Sequence, residues 1–152
     1  MTLTGYYFAT TGTYAFYDGD QGVCRIVEAP LQPIRIYHDK AMWTVSRGGM
    51  RILDPGTGEE VAQIHRLSGR RFVIATEGAA VTGRVIRRLL RSFIVYTDLD
   101  DEEVGRMEYR VDRSKSRGLS PQRYVATVRG GDALTVAMLA APFLEIKGIG
   151  VG

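Results

Sequence analysis

For twelve residues between Asp132 and Glu145 the chain carries no charge, reading Ala133-Leu-Thr-Val-Ala-Met-Leu-Ala-Ala-Pro-Phe-Leu144, and Thr135 is the only one with a hydrogen-bonding side chain. A surface helix keeps a polar stripe at a period of 3.6 residues; this stretch is apolar on every side, so a helix built from it has to be enclosed. It is also too short to cross a bilayer, which takes about 20 apolar residues. The expectation is a buried helix over about residues 132–141. Asp132 is the expected N-cap, with Gly130 and Gly131 supplying the turn before it. Pro142 cannot donate to the Met138 carbonyl, so regular helix is expected to stop or kink near Ala141.

An enclosed helix needs a shell, and the rest of the chain reads as hairpins. One pattern recurs: an apolar strand, an Asp/Gly turn, then a strand starting at Val. It runs Tyr14–Tyr17, turn, Val23–Ile26; Met50–Leu53, turn, Val61–Ile64; Phe72–Ala75, turn, Val81–Val85; and Phe93–Tyr96, turn, Val104–Met107. A less similar hairpin sets Ile34 and Ile36 against Trp43 and Val45 across a turn at His38–Lys40. Met107, Tyr109 and Val111 alternate with charged residues as a half-buried strand, Tyr124–Val128 reads as another, and Leu144–Lys147 as a last one. Regular β spacing with Asp/Gly punctuation predicts an all-β sandwich or barrel. With roughly twelve strands and one apolar helix, the fold class expected is all-β, a closed barrel of hairpins around the C-terminal helix. Closure removes exposed strand edges, and the helix fills the interior. Segment 1–12 has no assigned place in this scheme.

At 152 residues, with 45% hydrophobic and 24% charged residues, the chain is read as one domain over 1–152 and not as a disordered one. The apolar start lacks a basic n-region, and the single Cys24 cannot form an internal disulfide. Together these lead to the expectation of a cytoplasmic, reducing setting, with any membrane contact peripheral and at the inner face. The net charge of +3 is unevenly spread: residues 1–60 hold five basic and seven acidic groups, residues 61–152 fifteen and ten. The positive field therefore belongs to the second half. Seventeen of the twenty basic residues are arginine, which suits planar anion recognition and equally follows from an arginine-rich codon usage.

The repeated hairpins, the segment Val85-Ile-Arg-Arg-Leu-Leu-Arg-Ser-Phe-Ile-Val-Tyr96 and the helix Asp132–Ala141 resemble the tubby C-terminal-like superfamily, which includes phospholipid scramblases and LURP-one-related proteins. The likeness runs from about Tyr14 to Ile146. It implies a twelve-stranded barrel around a hydrophobic helix, agreeing with the reading of the residues themselves. For function it implies lipid or phosphoinositide headgroup binding in some members and no assigned activity in others. The headgroup-binding residues of tubby do not map onto particular positions here. The palmitoylated cysteine cluster and proline-rich segment of scramblases are missing from the sequence, which counts against lipid scrambling.

Two basic clusters are candidate ligand-binding sites for an anion or lipid headgroup. Arg84, Arg87, Arg88 and Arg91 fall at i, i+3, i+4 and i+7, the spacing of a basic amphipathic helix; alternatively they finish the third hairpin and stay solvated. Arg113, Lys115 and Arg117 sit in a serine-containing loop suited either to phosphate oxygens or simply to solvent. The acidic run Asp98–Glu103 lacks the glycine and glutamate that an EF-hand requires at its sixth and twelfth positions, and reads as a hairpin turn. His38 and His65 have no neighbouring ligands, Cys24 has no partner base, and no phosphate-cradling glycine motif or nucleophile elbow occurs. No catalytic residue, metal ligand or cofactor is expected, and the reading is a non-enzymatic binding domain. Its expected partner is an anionic membrane surface or another phosphorylated ligand; the rival is a protein–protein interaction module contacting an acidic protein, with no lipid binding. Nucleic acid is disfavoured, because no aromatic-interleaved stacking motif accompanies the small charge excess.

Overall fold

The computed structural model describes residues 1–8, 10–46, 51–88, 91–111 and 122–144, with backbone alone at 110, 111 and 122. Twelve strands precede one helix in the order β1 (Thr2–Phe8), β2 (Thr13–Asp18), β3 (Gln21–Val27), β4 (Arg35–His38), β5 (Ala41–Val45), β6 (Arg51–Leu53), β7 (Glu60–Ser68), β8 (Arg71–Thr76), β9 (Ala79–Arg87), β10 (Ser92–Thr97), β11 (Glu103–Val111), β12 (Gln122–Val128) and α1 (Asp132–Leu144). Each strand pairs antiparallel with its sequence neighbour, and β1 pairs with β12 to close the barrel. In this up-and-down order every second connection lies at the same end. The end carrying the β7–β8 and β9–β10 turns is called here the upper rim, and the end carrying the β8–β9 and β10–β11 turns the lower rim.

Alternation decides what lines the interior. Phe72 and Ile74 of β8 and Val81 and Val85 of β9 point inward and are buried, as are Ile26, Ile36, Ile52, Ile64 and Ile94 of the other strands. Against them pack Met138, Leu139, Ala140 and Ala141, all 0% exposed. The helix fills the barrel, as the apolar stretch requires. Ile36 pairs with Trp43 and Arg35 with Thr44, the facing set expected for that hairpin.

Three details depart from the sequence reading. Segment 1–12, without a place in the hairpin scheme, contributes β1, the strand that closes the barrel: Thr2–Tyr6 pair with β12 and Thr4–Phe8 with β2. Asp132 is the first helical residue and not its cap; the Gly131 carbonyl accepts the first helical bond, from Thr135 N–H at 2.9 Å. Its carboxylate still sits in the first turn, where the helix dipole favours a negative charge. The helix also continues through Pro142 to Leu144, so the strand expected at Leu144–Lys147 does not include Leu144, and residues 145–147 lie outside the described residues. The continuation has a specific support. The carbonyl that Pro142 cannot serve, that of Met138, accepts instead the buried Tyr96 hydroxyl at 2.6 Å.

Gly83 of β9 lies opposite Phe72 of β8, and a Cβ there would overlap the Phe72 ring. The ring covers the bare glycine backbone and meets Tyr96 edge-on, with centroids 5.9 Å apart. Gly83→Ala is therefore expected to cost about 1–3 kcal/mol through overpacking. Gly69→Ala, with no atom within 4 Å of its new methyl, should change stability by less than about 0.5 kcal/mol. Urea unfolding of the two variants checks the contrast.

Candidate anion-binding rim

The strand expected over Gly83–Arg88 is present through Arg87, and the amphipathic helix is not. β9 runs through Arg87, Arg88 and Arg91 exchange backbone hydrogen bonds at 2.8 and 3.4 Å, and β10 begins at Ser92. A helix of eight residues is marginal alone, and β-branched Val85 and Ile86 already pair with Ile94 and Phe93. The four arginines consequently do not share one helical face. Arg84 points outward from the barrel wall between inward Gly83 and Val85. Arg91 is partly neutralised by Glu108, with Nε to carboxylate at 3.6 Å, and Arg87 is engaged within the protein as well. Arg113, Lys115 and Arg117 lie outside the described residues. The strands on either side of that segment, β11 and β12, end and begin at the upper rim.

The structure adds arginines that the sequence reading did not select. Arg71 of β8 pairs directly with Arg84 of β9. Arg66 and Arg70 flank the same β7–β8 turn, where Arg66 Nε donates to the Ser68 carbonyl at 3.4 Å. All of these side chains are exposed. Among the described residues, no carboxylate comes within ion-pairing distance of Arg66, Arg70, Arg71, Arg84 or Arg88. Two like charges directly opposite on adjacent strands destabilise a sheet. The upper rim therefore presents uncompensated guanidinium groups, each a planar fork of donors matched to phosphate or carboxylate oxygens.

The carboxylates gather at the other end. Every described acidic residue except Glu28 and Glu108 lies in a lower-rim turn, on a strand residue beside one, or at the start of α1. Several are committed to turn geometry. Asp98 Oδ1 accepts from the Asp100 and Glu102 N–H groups at 2.9 and 3.0 Å, and Asp54 Oδ1 accepts from Gly56 N–H at 2.8 Å. The acidic run thus forms the expected hairpin turn between β10 and β11. Basic groups at this end are largely matched: Arg106 bonds Glu103 at 2.9 Å, and Arg129 approaches Glu102 at 3.9 Å. The lower rim also holds an open groove of about 510 Å³ lined in part by Val81, Leu99, Val104 and Leu134.

Among the described residues, Cys24 and the two histidines are each buried or hydrogen-bonded. Cys24 is 2% exposed, and burial pushes its thiol up to about 12, so it stays protonated at neutral pH. His38 is buried and stacks on Trp43 with centroids 6.1 Å apart; His65 Nε2 is 2.7 Å from Gln63 Oε1. Among the described residues, no three His, Cys, Asp or Glu side chains come together as a metal site, and no helix is long and apolar enough to cross a membrane. In comparisons with known proteins, the chain matches no family model, no curated protein and no solved structure.

Proposed function

We propose that this protein is a non-enzymatic binding domain that docks on anionic lipid headgroups through its upper-rim arginines. The observation that carries the reading is the directly opposed, uncompensated pair Arg71 and Arg84, with Arg66, Arg70 and Arg88 beside it. A sheet gains nothing from that arrangement, whereas an anionic surface does. The charge separation along the barrel supports the same reading, because it turns the basic end toward a negative plane and the acidic end away. Membership of the tubby-like superfamily is part of this proposal; a closed barrel around one helix is the architecture that resemblance implies. Attachment at the cytoplasmic face of a membrane, where anionic lipid is concentrated, belongs to it too.

The test is co-sedimentation with neutral and anionic vesicles across a salt series, comparing wild type with Arg71→Gln/Arg84→Gln. Each basic group near an anionic surface contributes about 1 kcal/mol, so the double variant should bind roughly 30-fold more weakly at low salt. It should also unfold at the same or a slightly higher temperature, since the substitution removes a like-charge pair. Wild-type binding should fade as salt shortens the screening length. Failure of wild type to bind anionic vesicles at low salt would overturn the proposal. The rival reading, a protein–protein interaction module, has its own observation in Leu99, 85% exposed beside the lower groove.

A further inference from the structure

The upper rim carries more than charge. Among the described residues, the large apolar side chains most out of place in water are Met1, Phe8, Leu31, Met42, Leu67 and Leu99. Phe8 ends β1, Leu31 lies in the β3–β4 connection and Leu67 precedes the β7–β8 turn, so these three share the basic rim. Met1, Met42 and Leu99 belong to the acidic half, where an anionic surface is repelled.

Two of the rim residues are held out by the backbone itself. Leu67 is the extra residue of a bulge: Arg66 pairs with Phe72 and Ser68 with Arg71, leaving Leu67 unmatched and 62% exposed between arginines. Leu31 is fully exposed at 104% and has φ of 62°, a conformation that bulky L-residues avoid and that glycine or asparagine takes more readily. A turn selected only for stability or solubility would not hold leucine there. An exposed leucine between arginines, with a second held out on the same rim, matches the layered chemistry of a bilayer surface, with phosphates outermost and hydrocarbon beneath.

Building on the lipid-docking reading, we propose that the barrel stands end-on on an anionic membrane, with Leu31 and Leu67 entering the acyl boundary and the arginines at headgroup level. Phe8 sits on the same rim and adds apolar area at the contact. The lower rim then faces away from the membrane.

The experiment uses vesicles of neutral phosphatidylcholine with and without phosphatidylserine, and the full chain as wild type, Leu31→Asn, Leu67→Ser and the double variant. Both sites are exposed, and asparagine suits the φ of residue 31, so thermal melts should match or exceed wild type. Each single substitution should weaken binding to anionic vesicles about tenfold and the double about a hundredfold. The residual binding should vanish at high salt, whereas wild type keeps a salt-resistant part, because apolar insertion is not screened. An environment-sensitive fluorophore attached at Leu67→Cys should shift to the blue on vesicles, and one at Leu99→Cys should not; buried Cys24 stays unlabelled in both. Equal affinity of wild type and the double variant, with binding still dependent on Arg71 and Arg84, would overturn insertion and leave a purely electrostatic contact. A blue shift at position 99 would overturn the orientation. Absence of wild-type binding would instead overturn the lipid reading beneath it.

Discussion

Leu139→Asp should leave the chain unfolded or aggregated at 25 °C. Leu139 is 0% exposed at the centre of α1, and the helix is enclosed by the strands around it. Deleting the leucine volume alone costs about 2–5 kcal/mol, and an unpaired carboxylate in that position adds several more. Single domains have only about 5–15 kcal/mol of stability in all. A side-chain rearrangement cannot rescue it, because the helix has no solvent-facing side to rotate outward: residues Leu134 through Phe143 are all buried. Leu139→Met, which conserves volume and polarity, should cost less than about 1.5 kcal/mol. Circular dichroism and gel filtration of the two variants would decide it. A folded, monomeric Leu139→Asp protein would mean that the interior contains water or space that the packing does not show.

The same apolar run explains why so much of the architecture was legible in advance. A twelve-residue segment with no polar stripe leaves few options, and an enclosing shell of hairpins is the simplest. The Asp/Gly turns marked one end of the barrel without being read as such. Asp18–Gly22, Asp54–Gly58, Thr76–Ala80 and Thr97–Glu103 are all connections within hairpin copies, so antiparallel order puts them together at the lower rim. The connections between copies, including Arg66–Arg71 and Arg87–Arg91, must then share the other end. Charge segregation along the barrel was therefore implicit in the hairpin repeat. Arg71 and Arg84 were harder to find, since they become neighbours only through the β8–β9 register. The helical spacing of Arg84, Arg87, Arg88 and Arg91 points away from that pair, because period alone does not separate a short helix from a strand end and a turn. β1 is hard to read from the sequence for a related reason. Its inward positions include Gly5, which offers no apolar side chain to count, yet that glycine is where the Phe16 ring lies, with the nearest ring atom 2.6 Å from a would-be Cβ.

Pro142 gives the last test, and it concerns how the helix reaches the upper rim. Tyr96→Ala should cost about 3–5 kcal/mol, since a fully buried ring is lost along with its hydroxyl. Tyr96→Phe isolates the hydroxyl. It leaves the buried Met138 carbonyl without its 2.6 Å donor, at a cost of about 1–3 kcal/mol. Burial raises the Tyr96 phenol well above its ordinary range, so the donor stays protonated throughout the pH range in which the protein is handled. Pro142→Ala supplies the backbone N–H that proline lacks and offers that carbonyl a helical partner. It also frees the unfolded chain, an effect common to both backgrounds that cancels in a double-mutant cycle. The double variant should therefore be more stable than the sum of the single changes by about 1 kcal/mol. Additive values would mean that the tyrosine hydroxyl is not standing in for the missing helical bond. The helix would then owe its passage through Pro142 to the packing of Phe143, whose ring stacks on Tyr14 with centroids 3.9 Å apart.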